Sequence, residues 1–143
     1  MSSAEDEAPP PPEGYSPVQG RGAFTTHNGP YFNGPSDKEL SRQAFFILNR
    51  HCNTVGILHG GMITAFMDGL LASAVARATG MTPITMHLSV DYLDMGRKGD
   101  WVFGEAWVTR KASEAAFVSG KAMIGDRTIV QVNGVFRLMK RRP

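Results

Sequence analysis

The spacing of apolar side chains changes near residue 80. From Met62 to Ala76 apolar residues follow one another almost without a break, and Ala and Leu in this run favour a helix. After Gly80 the period is two, because residues 84–92 (ITMHLSVDY) alternate apolar and polar side chains. The pattern predicts a helix over residues 61–79 that ends at Gly80, followed by a β-strand.

Further strands are predicted on both sides of this helix. Residues 43–50 (QAFFILNR) are short, aromatic and β-branched, and the stretches 101–110, 115–124 and 128–140 follow the helix. The short connections KASE and GDR make the last three stretches antiparallel neighbours. Strict alternation in residues 84–92 would give one face to Ile84, Met86, Leu88, Val90 and Tyr92, and the other to Thr85, His87, Ser89 and Asp91.

A helix that is apolar on all sides has to be covered on most of them. The sequence therefore predicts the α+β class, with a curved antiparallel sheet wrapped around a long central helix. Residues 1–22 are rich in proline and polar side chains, which predicts a disordered tail, so residues 23–143 form the domain. Within it, residues 23–42 are punctuated by Gly and Pro and have room for a short strand or helical turn.

Composition narrows the class of protein. The chain has 143 residues, 42% of them hydrophobic, which is typical of a globular domain, and its net charge of +2 does not indicate a nucleic-acid partner. Cys52 is the single cysteine, which favours a reducing compartment. The acidic, Pro-rich N-terminus lacks the features of a signal peptide, and residues 62–76 are short for a membrane span. We expect a cytoplasmic protein that does not bind membranes.

Asp68 is the one charged side chain between His59 and Arg77. It is either a surface residue satisfied by a hydroxyl such as that of Thr64, or a catalytic carboxylate in an apolar pocket. The sequence His-Gly-Gly at 59–61 favours the second interpretation, because free backbone N–H groups at a helix start can stabilise an oxyanion. An oxyanion donor and a carboxylate together suit acyl transfer.

Helix geometry separates these two groups. Gly60 and Asp68 are eight residues apart, or about 12 Å along the axis. One carbonyl group cannot contact both within a single chain. Either the two features serve different purposes, or the site forms between two subunits related by two-fold symmetry.

The stretch HCNTVGILHGGMITAFMDGLLASA resembles the signature of the hotdog-fold acyl-CoA thioesterases, specifically the PaaI-like and hydroxybenzoyl-CoA thioesterase group. That signature combines an Asn, a His-Gly-Gly and an acid nine positions after the His, and Asn53, His59 and Asp68 match it. The resemblance covers about residues 43–140. It implies a hotdog fold, hydrolysis of an acyl-CoA to a free acid and coenzyme A, and a homodimer or homotetramer.

The resemblance also implies catalytic roles. The backbone N–H of Gly60 would polarise the thioester carbonyl, and the amide of Asn53 would hold the substrate or the water. Asp68 would act as general base or as nucleophile, and Thr85 would orient the water together with the acid. In the family, the Asn and the Gly come from one subunit and the acid from the other.

Substrate-binding candidates surround this set. His59, Gly61 and Met62 lie at the helix start, and Met62 or Phe24 could line an acyl pocket. Arg110 and Lys111 could bind the phosphates of coenzyme A. They belong to a wider group of basic residues that otherwise form solvated turns and a basic tail: Arg97, Lys98, Arg110, Lys111, Lys140, Arg141 and Arg142.

Two other functions stay open. A hydratase or dehydratase would use His59 and Asp68 as an acid–base pair, and a non-catalytic module would bind acyl-CoA without turnover. His59 otherwise shapes the helix start. No His, Cys and carboxylate residues have metal-ligand spacing, and we expect no cofactor. Cys52 lacks the surroundings of a nucleophile.

Overall fold

The computed structural model describes residues 6–140 and has a long central helix packed inside a seven-stranded antiparallel sheet. This architecture confirms the predicted α+β class. The sheet order is β1-β2-β3-β5-β6-β7-β4. The elements are β1 (Ser16–Pro17), α1 (Gly22–Asn28), β2 (Phe32–Asn33), β3 (Ser41–Phe46), α2 (Gly60–Thr79), β4 (Thr82–Tyr92), β5 (Trp101–Lys111), β6 (Ala115–Ile124) and β7 (Arg127–Met139).

Helix α2 forms the centre of the core. It starts after His59, whose side chain caps it, and ends at Gly80, which adopts the predicted left-handed conformation at φ 69°. Its 20 residues are long and apolar enough to cross a membrane by length and composition alone, a test that core helices also pass. Here the sheet wraps around it, and its buried side chains are Met62, Ile63, Phe66, Met67, Leu70, Leu71, Ser73, Ala74 and Val75.

A register shift interrupts β4 between Thr85 and His87. Thr85 pairs with Phe136, and Leu88 pairs with Gly134, so both lie on the face of the sheet that covers α2. The prediction of unbroken alternation is therefore wrong at the start of this strand. The extra residue, Met86, is 63% exposed, and Thr85 turns towards the helix.

One other sequence prediction needs correction. The strand predicted over 43–50 covers Ser41–Phe46, and a 3₁₀ turn over Asn49–His51 replaces its end. The structure confirms that β5, β6 and β7 are antiparallel neighbours. β4 pairs with β7, the last strand of the chain, and not with β5, which follows β4 in the sequence. β4 thus forms an edge of the sheet, with an unpaired side along all eleven of its residues.

The described part of the N-terminal segment, residues 6–22, also differs from the predicted disorder, whereas residues 1–5 of that prediction lie outside the described residues. Ser16–Pro17 pairs with β2, and the ring of Tyr15 packs edge-on against Phe103, with ring centroids 5.6 Å apart. The N–H of Val18 donates to the carbonyl oxygen of Tyr31. An aromatic side chain and a few backbone hydrogen bonds hold this Pro-rich segment, whose composition alone would not.

Candidate active site

Asp68 lies in the middle of α2, half-buried, and faces β4. The hydroxyl of Thr85 donates to its Oδ1 at 2.7 Å. Thr64, one turn earlier on the helix, does not satisfy Asp68, because its hydroxyl lies 2.5 Å from the hydroxyl of Tyr92. The carboxylate is therefore held by one hydroxyl and keeps further lone pairs for a water or a substrate.

The first turn of α2 presents one unused backbone donor. Gly61 N–H donates to His59 Nδ1 at 2.8 Å, and the N–H groups of Met62 and Ile63 donate to His59 O. The N–H of Gly60 has no acceptor among residues 6–140. At the positive end of a helix, such an amide is suited to bind a carbonyl oxygen that gains negative charge.

Tyr92 and Thr64 lie beside Gly60, and the sequence did not single them out as site residues. Tyr92 Oη is 3.5 Å from the carbonyl oxygen of Gly60, and its ring lies 3.5 Å from where a Cβ of Gly60 would be. The signal was available in the spacing, since Thr64 is four residues from both Gly60 and Asp68 and therefore shares their helix face.

Asn53 lies in the loop that leads to α2. Its side-chain oxygen accepts from the N–H groups of Val55 and Ile57, both at 3.1 Å. The side-chain nitrogen of Asn53 can still donate outwards. Within one chain, no hydrogen bond of the described residues joins Asn53 to Gly60, Asp68 or Thr85.

Two pockets flank the start of α2. Gly60 lines an apolar pocket of about 220 Å³ together with Tyr92 and Ile129. His59, Gly61 and Met62 line a neighbouring pocket of about 290 Å³, which also includes Phe24. The candidates predicted to bind substrate at the helix start are thus close together. The Nδ1 of His59 is occupied by the N–H of Gly61, which disfavours its use as a general base.

Arg110 and Lys111 are exposed at the end of β5. Lys111 pairs with Ala116, Ala116 with Phe136, and Phe136 with Thr85. Three strand spacings therefore separate Lys111 from Thr85, or about 14 Å. The structure does not bring the two basic residues into contact with Asp68, and their role stays a prediction.

The remaining titratable candidates are structural or weakly reactive. Burial lowers the pKa of His51, whose Nδ1 accepts from the N–H of Leu48 and whose Nε2 lies 2.7 Å from Asn28 O. Burial raises the pKa of the Cys52 thiol, which disfavours the thiolate. Over residues 6–140, no three His, Cys, Asp or Glu side chains are grouped as metal ligands.

One chain therefore carries two separated halves of a site. One half is the Asp68–Thr85 pair, and the other is the free N–H of Gly60 beside Tyr92. The eight residues between Gly60 and Asp68 keep the halves about 12 Å apart along the axis. The first half can take a proton from water, and the second can stabilise an oxyanion.

Comparisons with known proteins find relatives of this chain. The sequence pattern of the thioesterase superfamily matches residues 55–131. A Pseudomonas aeruginosa protein that carries the provisional name esterase PA0474 is 30% identical over 129 residues, which is 89% of this chain and 96% of that protein.

Solved structures show the same fold. A hypothetical thioesterase from Streptococcus pneumoniae, solved with coenzyme A, has a TM-score of 0.74 at 16% identity, over 79% of this chain and 91% of its own. The PaaI protein of Escherichia coli, from the phenylacetic acid degradation operon, has a TM-score of 0.73 at 16% identity, over 79% and 86%. These likenesses identify the architecture as the hotdog fold.

Proposed function

The chain belongs to the thioesterase superfamily and is a thioester hydrolase, and we propose that it hydrolyses an acyl-CoA to a free acid and coenzyme A. The unused N–H of Gly60 carries this proposal, because a tetrahedral intermediate needs a donor that is not already satisfied. Coenzyme A in the Streptococcus pneumoniae structure supports the choice of thiol.

In the proposed reaction, a water molecule attacks the thioester carbon while Asp68 accepts its proton. Thr85 keeps the carboxylate in place through its 2.7 Å hydrogen bond. The carbonyl oxygen becomes an oxyanion at the Gly60 N–H of a second copy of the chain, the carbon–sulfur bond breaks, and the thiolate of coenzyme A takes up the proton from Asp68. Direct attack of Asp68 on the carbon, through an anhydride that water then opens, gives the same products.

We propose that a second copy of the chain supplies the missing half of each site, in a homodimer or in a homotetramer built from two dimers. Two features support this assembly. The free side of β4 is a long unpaired edge with exposed Ile84 and Met86 beside it. Small residues occupy the N-terminal and middle part of α2 that the sheet leaves uncovered, which allows a second helix to approach: Gly61, Ala65 and Gly69.

Subunit mixing tests the shared site directly. One copy carries Asp68→Asn, and the other carries Gly60→Pro, which deletes the amide hydrogen. Each homodimer should be nearly inactive, whereas a heterodimer purified through two different tags has one complete site out of two. We expect it to release thiol from acyl-CoA at about half the wild-type rate.

A heterodimer with Asp68→Asn in both copies is the matched control and should stay inactive. If the mixed heterodimer is as inactive as the control, the site does not cross between subunits. Thiol release across short-chain, long-chain and aromatic acyl-CoAs addresses the activity itself, and a wild-type protein that binds these compounds without releasing thiol would contradict the proposed function.

A further inference from the structure

A third pocket, of about 350 Å³, opens on α2 beyond Asp68, on its C-terminal side. Ala72 lies four residues after Asp68 on the same helix face, and Pro83 lies two residues before Thr85 on β4. The pocket therefore borders the proposed acid on both elements that hold it. Its lining is Arg21, Ala72, Ser73, Ala76, Arg77 and Pro83.

The residues that line this pocket include two guanidinium groups and no carboxylate. Arg21 donates to Ser73 Oγ at 2.5 Å and to the carbonyl oxygen of Gly69 at 3.2 Å, and both acceptors are neutral. In the part of the chain that the structure describes, neither Arg21 nor Arg77 makes an ion pair with an acidic side chain. Their positive charges are therefore not neutralised at the pocket.

Ser73 adds a third donor to the pocket. Its oxygen accepts from Arg21 and, at 3.4 Å, from the side-chain nitrogen of Gln43, which is 3% exposed and also donates to Asn33. Both lone pairs of the hydroxyl are thus used, and its hydrogen has no acceptor among residues 6–140. Because both charged side chains of the lining are guanidinium groups, the pocket suits a ligand group that accepts hydrogen bonds and carries negative charge, namely a carboxylate or a phosphate.

We propose that this pocket binds an anionic group of the thioester substrate, with Arg21 and Arg77 as the binding residues. The inference rests on the proposed function, because it places the reacting thioester at Asp68. From Asp68 to Ala76 the helix rises about 12 Å, so the anionic group belongs to a part of the substrate remote from the reacting carbon. It is either a carboxylate at the far end of the acyl chain or a phosphate of coenzyme A.

Calorimetric binding in an Asp68→Asn background tests the proposal without turnover. The probes are acetyl-CoA, succinyl-CoA, S-acetylpantetheine and S-succinylpantetheine, which separate the phosphates from the acyl carboxylate. We expect Arg77→Gln to weaken at least two of the anionic probes about tenfold and to leave S-acetylpantetheine unchanged. Arg77 is exposed, so this variant should fold, and Arg21→Gln should show the same selectivity.

The pattern of loss identifies the source of the anion. Weaker binding of both CoA esters, with both pantetheine esters unchanged, assigns a phosphate. Weaker binding of the two succinyl compounds assigns the acyl carboxylate. Unchanged affinity for all probes, or an equal loss for all four, overturns the proposal. Arg137→Gln removes an exposed charge on the opposite face of the sheet and should change no affinity.

The proposed hydrolysis and the proposed anion pocket can be contradicted independently of each other. If the wild-type protein releases no thiol from any ester but Arg77→Gln still weakens the anionic probes selectively, the pocket binds anions and the hydrolysis is wrong. If the wild type hydrolyses acyl-CoA and Arg77→Gln binds every probe as before, the hydrolysis stands and the pocket assignment is wrong.

Discussion

The hydroxyl of Thr85 donates a hydrogen bond of 2.7 Å to Asp68, and a register shift in β4 makes this contact possible. With unbroken alternation Thr85 would lie on the opposite face of the sheet from Leu88, which packs against the core. The extra residue at Met86 turns Thr85 towards α2. A β-bulge thus sets the geometry of the candidate acid.

Removal of the Thr85 hydroxyl should therefore weaken catalysis more than stability. We expect Thr85→Ala to lower kcat about tenfold or more, because the carboxylate loses the group that orients it. Thr85→Ser should keep most of the activity. Thr85 is exposed in the single chain, so thermal unfolding should shift little, and Ser89→Ala on the outer face of the same strand is the control. A Thr85→Ala enzyme with wild-type kcat would contradict this role.

Gly60 allows deletion of one backbone donor at small cost to folding. It is the first residue of α2, where proline is well tolerated, and His59 before it has an extended conformation at ψ 133°. We expect Gly60→Pro to lower kcat roughly 100-fold or more by loss of the oxyanion donor. Gly60→Ala keeps the N–H, and its Cβ would meet Tyr92 at an ordinary 3.5 Å.

The two Gly60 variants separate chemistry from shape. Gly60→Ala should retain most of the activity, and both variants should unfold within a few degrees of the wild type. Equal losses in the two variants would mean that the space at Gly60, and not its N–H, is what the reaction needs.

A substitution at Gly69 tests the proposed contact between α2 and a second copy of the chain. A Cβ at this position would meet no atom within 4 Å in one chain, so the position faces open space in a single subunit. We expect Gly69→Leu to keep the secondary structure but to lower both the mass measured by light scattering and the rate of thiol release, because leucine would block an approaching helix. Gly69→Ala is the milder control.

A Gly69→Leu protein with wild-type mass and activity would place the subunit contact elsewhere on the molecule. A wild-type protein that hydrolyses acyl-CoA as a monomer at micromolar concentration would exclude the shared site altogether.

His51 should make stability fall on mild acidification. Burial lowers its pKa, so at pH values below the unfolded value of about 6.5 the unfolded chain takes up a proton that the folded chain does not. The free energy of unfolding should therefore fall as pH decreases from about 6.5 towards the folded pKa. Protonation would also break the hydrogen bond from the N–H of Leu48 to Nδ1.

Urea unfolding at pH 7 and pH 5 measures this effect above the range in which most carboxylates titrate. His51→Gln should flatten the change between the two pH values, although the variant itself is less stable at pH 7. His87→Gln removes an exposed imidazole from the outer face of β4 and serves as the control. A wild-type protein that is equally stable at both pH values would contradict the prediction.

The sequence predicted the helix, its end at Gly80 and the strands that follow it with useful accuracy. These features depend on local physics: the conformational preference of glycine, helix propensity and hydrophobic period. Prediction from the sequence was less accurate where contacts between distant segments determine the structure. The order in which β4 joins β7, and the packing of Tyr15 on Phe103, depend on contacts between residues far apart in the chain.

The candidate site divides in the same way. Helical rise alone separates Gly60 from Asp68, so the sequence by itself determined that one chain cannot place both on a single carbonyl group. Only the tertiary structure decided that Thr85 faces Asp68, that Tyr92 covers the start of α2, and that Arg21 joins Arg77 at a pocket. The physical reason is that distances along a helix follow from its fixed rise, whereas a bulge or a pocket is settled by the packing of separate elements against one another.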